Sequence, residues 1–315
     1  DFYKEHPAEA KEQFGENPFE LKNVLNNWVR TKNKEMHVIP TDTLYLTIDK
    51  EAVKKSGMMM ASDTIPDRMV ISLAGKRALY KNDLMMLEML AQCNWTRPLY
   101  VAATVGSDNY MNLGDNFVQE GLAYRITPFT TNKPGAKNFD TEKTYNNVMN
   151  RYKFGGLDKK GLYIDETIMR MCYTHRNLFA QLALALIREG KNDKALKVLR
   201  KAEKSMPEYN VPNTFVSGSA DLARAYALIG CKADAARILR QVWNNAKQYA
   251  DYYVSQEGSR FDMCQTDVMR QLYYMQGISD IAQLVDAKMA NEWLKTANAI
   301  YAVYQAKGGQ PFESR

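Results

Sequence analysis

"FAQLALALIREGKNDKALKVL" (residues 179–199) and "SADLARAYALIGCKADAARIL" (219–239) are two copies of one pattern, offset by 40 positions. Leu182 matches Leu222, Ala183 matches Ala223, Gly190 matches Gly230, Ala195 matches Ala235 and Leu199 matches Leu239. Apolar residues recur at three and four spacing on both sides of the glycine, which predicts two amphipathic helices per copy. Alanines let the helices approach closely, glycine turns the corner, and Pro207 closes the second helix of the first copy.

The pattern resembles a degenerate pair of tetratricopeptide repeats, at a spacing longer than the usual ~34 residues. A third pair is expected from 260–276 with 280–306. The polar stretches EGKND, IGCKAD and QGISD are the expected turns. Towards the amino terminus the period changes. Residues 44–48 alternate as in a strand, and MVISLAG (69–75), PLYVAATVG (98–106) and GLAYRITPF (121–129) read as three more. PFELKNVLNNWVR places Phe19, Val24 and Trp28 on one helical face. KNDLMMLEMLAQCN (81–94) reads as a helix capped by Asn82 or Asp83 and ended by Asn94. Strand, helix, strand over 69–106 implies a parallel crossover. At its seam, Pro98 opens the strand, Leu99, Val101, Ala103 and Val105 share one face, and Trp95 and Arg97 are expected to brace the corner.

The expected architecture is therefore α/β plus all-α: a small mixed or parallel α/β layer, then antiparallel helix pairs. The domains run 1–155 and 156–315, separated around the loops TTNKPGAKNFD (130–140) and FGGLDKKG (154–161). Charge is split the same way. Residues 1–150 carry 18 Lys+Arg and 19 Asp+Glu, while 151–315 carry 24 and 17. No stretch reaches the ~20 apolar residues of a spanning helix, and the opening Asp1-Phe2-Tyr3-Lys4-Glu5 is no signal peptide. The abrupt start suggests a processed protein or an excised fragment.

No catalytic constellation stands out, and no catalytic, cofactor or metal residues are assigned. Cys93, Cys172, Cys231 and Cys264 form no Cys-x-x-Cys pair, and three histidines supply a zinc site poorly. His175 reads as a packed or solvated helical residue, and Met58–Met60, Met85, Met86 and Met89 as core. The loop GSDNYMNLGDN (106–116) leaves a strand end, where open α/β sheets bind ligands. Ser107, Asp108, Asn109 and Asp115 are its candidate ligand-binding residues, against a turn whose side chains cap their own backbone. Lys191, Lys194, Lys197, Lys201 and Lys204 share a helical face, read as solvated and not as a nucleic-acid surface. Tyr249, Tyr252 and Tyr253, with Tyr273 and Tyr274, form an aromatic concentration: a peptide-binding repeat surface, or gap-filling between helices.

Three segments then carry a resemblance: KNDLMMLEMLAQCNWTRPLYVAATVG, YMNLGDNFVQEGLAYRITP and LALALIREGKNDKALKVLRKAEKSMPEYNVP. Together they resemble the C-terminal soluble region of a family of Gram-negative multi-spanning membrane proteins. The N-terminal region of that family looks like a protein O-mannosyltransferase of the GT-C type. The likeness runs from about Trp28 to Tyr253; Asn-Trp-x-Arg-Pro-Leu-Tyr and Glu-Gly-Leu-Ala-Tyr-Arg are its most specific parts. It implies a periplasmic domain tethered to a membrane half that holds the transferase chemistry, so no catalytic residue carries over. The expected function is a non-catalytic accessory domain that positions an acceptor protein or packs on its own membrane domain, with no nucleic-acid partner. Two alternatives stay open: a self-standing enzyme with its site at 106–116, and a soluble repeat adaptor.

Overall fold

The computed structural model describes residues 2–33, 37–39, 41–59, 64–130 and 138–310. Asp1, Met60 and the Pro134-Gly135 turn of the expected linker lie outside the described residues. The chain forms two compact units, residues 1–140 and 141–315.

In the first unit, short helices α1 (Phe2–Glu5), α2 (Pro7–Phe14) and α3 (Leu21–Val24) precede strand β1 (Thr43–Thr47). Helix α4 (Lys50–Lys55), strand β2 (Arg68–Ser72), helix α5 (Lys81–Cys93) and strands β3 (Tyr100–Ala102), β4 (Phe117–Gln119), β5 (Ala123–Ile126) and β6 (Asn138–Phe139) follow. The strands form two small sheets. β1 and β2 pair antiparallel, and the second sheet has the order β3-β5-β4-β6. Only β4 and β6 pair in parallel, so this sheet is mixed. The parallel crossover expected over 69–106 does not form: β2 and β3 belong to different sheets. Each finds an antiparallel partner nearer in sequence, β1 and β5, and a shorter closure costs less chain entropy. β4 and β6 had no recognisable pattern, being three and two residues long.

One core unites these elements. Leu21, Val24 and Trp28 pack with Leu44 and Leu46 of β1, Met69 and Ile71 of β2, Leu87 and Leu90 of α5, and Trp95. At the seam, Asn94 ends α5 in the left-handed region (φ 44°), as expected of an asparagine. The cap differs from expectation. Asp83 reaches back from the first turn, its Oδ2 accepting the Tyr80 amide at 3.0 Å, while Asn82 plays no such part. Trp95 is buried, but Arg97 is exposed and bonds to nothing among the described residues. Trp95 fills the corner by packing alone. Pro98 stands before β3 and not in it. Met85 and Met89 are exposed on α5, so of the methionines expected in the core Met58, Met59 and Met86 serve it among the described residues.

The second unit opens with α6 (Thr141–Asn146), which runs on as a π-helical turn, Asn147–Arg151. Then come α7 (Glu166–Arg188), α8 (Asn192–Ser205), α9 (Ser219–Leu228), α10 (Lys232–Ser255), α11 (Gly258–Ala282) and α12 (Ala287–Ala306). Successive helices pack on one another, and α7 also packs on α9. The two corners are superimposable in their bonding. Lys191 N–H donates to Leu186 O (2.8 Å) and Cys231 N–H to Tyr226 O (2.9 Å), the same bond displaced by 40 residues. Gly190 (φ 74°) and Gly230 (φ 82°) adopt the left-handed conformation that each corner requires. The third pair has its turn elsewhere. QGISD lies inside α11, and the chain turns after Ala282. Gly277 breaks no helix. It makes room for Phe215, whose ring carbon would lie 3.1 Å from a Cβ at that position.

A buried arginine fastens α7 to the segment between α8 and α9. Arg176 is 2% exposed. It donates to the carbonyls of Met206, Val211 and Pro212 and to the hydroxyls of Ser217 and Ser219, at 2.6–3.2 Å. Burial pushes its guanidinium down to about 10, so it stays charged at neutral pH. The lysine stripe is not simply solvated. Lys191 and Lys194 clasp Glu142 of α6 at 2.7 and 2.9 Å, and Lys201 donates to Met149 O. Their charge is spent on fixing α6 to α8. Among the described residues no helix is long and apolar enough to cross a membrane.

Candidate functional site

Ser107, Asp108 and Asn109 form a single 3-10 turn after β3, and Asp115 lies in a second one at Gly114–Asn116. All four are exposed, and among the described residues no hydrogen bond or ion pair gathers their side chains. The loop is held by other residues. Tyr110 donates to Val105 O (3.0 Å) and packs edge-on against Phe117. Asn112, at φ 56°, donates to the carbonyls of Ser72 and Ala74. β3 pairs antiparallel at a sheet edge, so the strand-end argument drawn from parallel sheets has no counterpart here.

Behind β3 lies a charged cluster that the sequence did not announce. Glu120 and Arg125, each 7% exposed, form an ion pair at 2.9 Å. Tyr100 donates to Glu120 (2.9 Å), and the guanidinium lies 5.7 Å from the Tyr100 ring centre. Arg125 also donates to Gly57 O and to the Tyr100 hydroxyl, while its Nε is buried without a partner among the described residues, and the cluster acts as a brace across β3, β4 and β5. The first unit also carries a cavity of about 790 Å³. Tyr3 and Trp28 form its aromatic wall, His37, Thr41, Asp42 and Arg77 its polar rim, and the buried Trp28 Nε1 has no partner among the described residues.

In the second unit, Tyr249, Tyr252 and Tyr253 stand together on α10. Tyr249 and Tyr253 are one helical turn apart and stack at 6.0 Å, and Tyr252 meets Tyr253 edge-on at 5.4 Å. Tyr249 and Tyr252 are 47% and 60% exposed, so they fill no gap between helices. Burial, then Asp267, raises the Tyr253 phenol above its usual range, and Arg270 opposes the shift. Arg270 itself pairs with Asp267 at 2.9 Å and lines a groove of about 590 Å³ on α11 with Met269, Leu272 and Tyr273. Tyr274 does not join this exposed face: it stacks on Phe215 at 4.5 Å. Of the α10 tyrosines, Tyr253 is the one within electrostatic reach of Arg270, which lines the groove with other α11 residues, a neighbour that spacing along the sequence could not supply. Met269 and Arg270 were missed because each looks like an ordinary helix residue.

His175 packs edge-on against Tyr152 and Phe154, with Nδ1 at 2.7 Å from Met171 O. The four cysteines are free thiols, and burial raises the Cys93 and Cys172 thiols above their usual range. Among the described residues no three His, Cys, Asp or Glu side chains gather as a metal-holding group.

Comparison with curated proteins and with solved structures finds no significant match. Comparison with protein families does: residues 3–144, which span the first unit, match the family described as TMEM260-associated domain 2, an accessory domain of a TMEM260-like family.

Proposed function

We propose that the chain is a non-catalytic accessory region of a membrane-bound, glycosyltransferase-like protein. It faces the periplasm, and its helical unit holds an acceptor polypeptide. The family match over residues 3–144 supports the accessory role. The observation that carries the binding role is the exposed tyrosine cluster of α10, whose Tyr253 interacts with Arg270 of the apolar α11 groove. Stiff aromatic rings with free hydroxyls suit an extended polypeptide, because little side-chain entropy is lost on binding. Apolar or proline side chains would seat in the groove, as in other aromatic-lined peptide sites.

The test is binding of an array of extended peptides to the chain and to its Tyr249→Ala/Tyr252→Ala variant. The variant is expected to bind about tenfold more weakly; unchanged affinity would overturn the binding role. A transfer assay with a lipid-linked sugar donor and the chain alone is expected to show no turnover. Turnover that disappears on replacing Asp108 and Asp115 would instead make the loop 106–116 an active site.

A further inference from the structure

Arg240, Trp243 and Asn244 share one face of α10, and Lys288, Glu292 and Trp293 share one face of α12. The two faces meet at a cavity of about 450 Å³, within the usual range of ~300–1,000 Å³ for small-molecule sites. The two indole rings lie parallel, 4.7 Å apart at an angle of 5°. Trp243 is 4% exposed and covers one face of Trp293. Trp293 is half-buried and lines the cavity with the surface that Trp243 leaves uncovered.

The polar groups around this aromatic wall are idle. Arg240, Asn244, Lys288 and Glu292 are exposed, and their side chains make no hydrogen bond or ion pair among the described residues. Asp286 closes the cavity, with one carboxylate oxygen accepting the amides of Lys288 and Met289. Two cations thus face two anions. A phosphate would meet Asp286 and Glu292, and a quaternary ammonium would meet Arg240 and Lys288. A neutral ring of hydroxyls meets neither objection. Each hydroxyl both donates and accepts, which suits an arginine, an amide and a carboxylate together. The C–H hydrogens on one face of a pyranose are slightly positive and fit the negative face of an indole.

We propose that the Trp243–Trp293 cavity binds a neutral saccharide. One pyranose unit stacks on Trp293, and its hydroxyls are held by Arg240, Asn244 and Glu292. This site is separate from the tyrosine face and stands or falls without it.

The experiment follows the tryptophan indole N–H signals of the 15N-labelled chain by NMR. The probes are neutral trisaccharides of gluco, galacto and manno configuration. At least one is expected to shift the Trp293 signal saturably. Arg240→Ala and Asn244→Ala, both at exposed positions, should each weaken that binding about tenfold. Followed at the Trp243 indole signal, Trp293→Ala should abolish binding and Trp293→Phe keep part of it. Absence of a saturable shift with all three sugars would overturn the proposal. So would a shift unchanged in both exposed variants, or competition by choline or inorganic phosphate. Loss of sugar binding with peptide binding intact separates failure at this cavity from failure at the tyrosine face.

Discussion

The two units hold themselves together in opposite ways. The helical unit is built from a repeated local rule: apolar residues at three and four spacing, a glycine corner, and the next helix packed back on the last. The first unit has strands of two to five residues, too short to stand alone. It depends on single side chains that tie distant backbone, such as Asn112 to Ser72 and Arg125 to Gly57. A repeated rule tolerates local error, whereas a single tie does not.

Arg176 is the place to break this contrast, because there the helical unit depends on one side chain. Arg176→Met should strand two buried carbonyls, Met206 O and Val211 O, with the Ser217 and Ser219 hydroxyls, and cost about 4 kcal/mol, read as faster amide hydrogen exchange across α7 and α9. A loss under about 1 kcal/mol would show that the repeat packing alone carries this region. In the first unit, Glu120→Gln should cost about 3 kcal/mol, since it leaves the Arg125 charge buried without its counter-charge. Exchange at the amides of β3 and β5 reports the loss. Asp83 gives a smaller, pH-dependent effect. Burial pushes its carboxyl up, but the Tyr80 amide and Lys76 outweigh this and hold it below the usual range. A folded value below the unfolded ~3.9 means the stabilisation is present above that pH and lost as the pH falls through the folded value. Asp83→Asn should therefore flatten acid unfolding of the first unit below about pH 4, and an unchanged acid limb would refute the assignment. The smallest effect belongs to Tyr249→Ala/Tyr252→Ala, within about 0.5 kcal/mol of the parent stability by denaturant titration. A larger loss would make those rings structural.

The same contrast explains what could be read from the sequence. The helix pairs, their corners at Gly190 and Gly230, and the cap at Asn94 are local patterns, and all were legible. The sheets were not, because β4 and β6 are too short to show a period and pairing partners leave no local mark. A glycine in QGISD looked like a turn because its reason, the Phe215 ring, lies 62 positions away in sequence. The lysines looked solvated because Glu142 sits 49 residues before Lys191. The tyrosines were visible as a cluster, but the groove on α11, lined by Arg270 that interacts with Tyr253, was not. Trp243 and Trp293 gave no signal, since each is an unremarked aromatic in its own helix.

The repeated corner has a consequence for how such a chain can vary. Two junctions with the same bonds at a fixed displacement are interchangeable parts. A chain in which residues 186–195 are replaced by the sequence of 226–235 should still fold, because each junction asks the same of its residues. Length in this region is then quantised: a whole hairpin of about 40 residues can be gained or lost without redesigning its neighbours, whereas half a hairpin cannot.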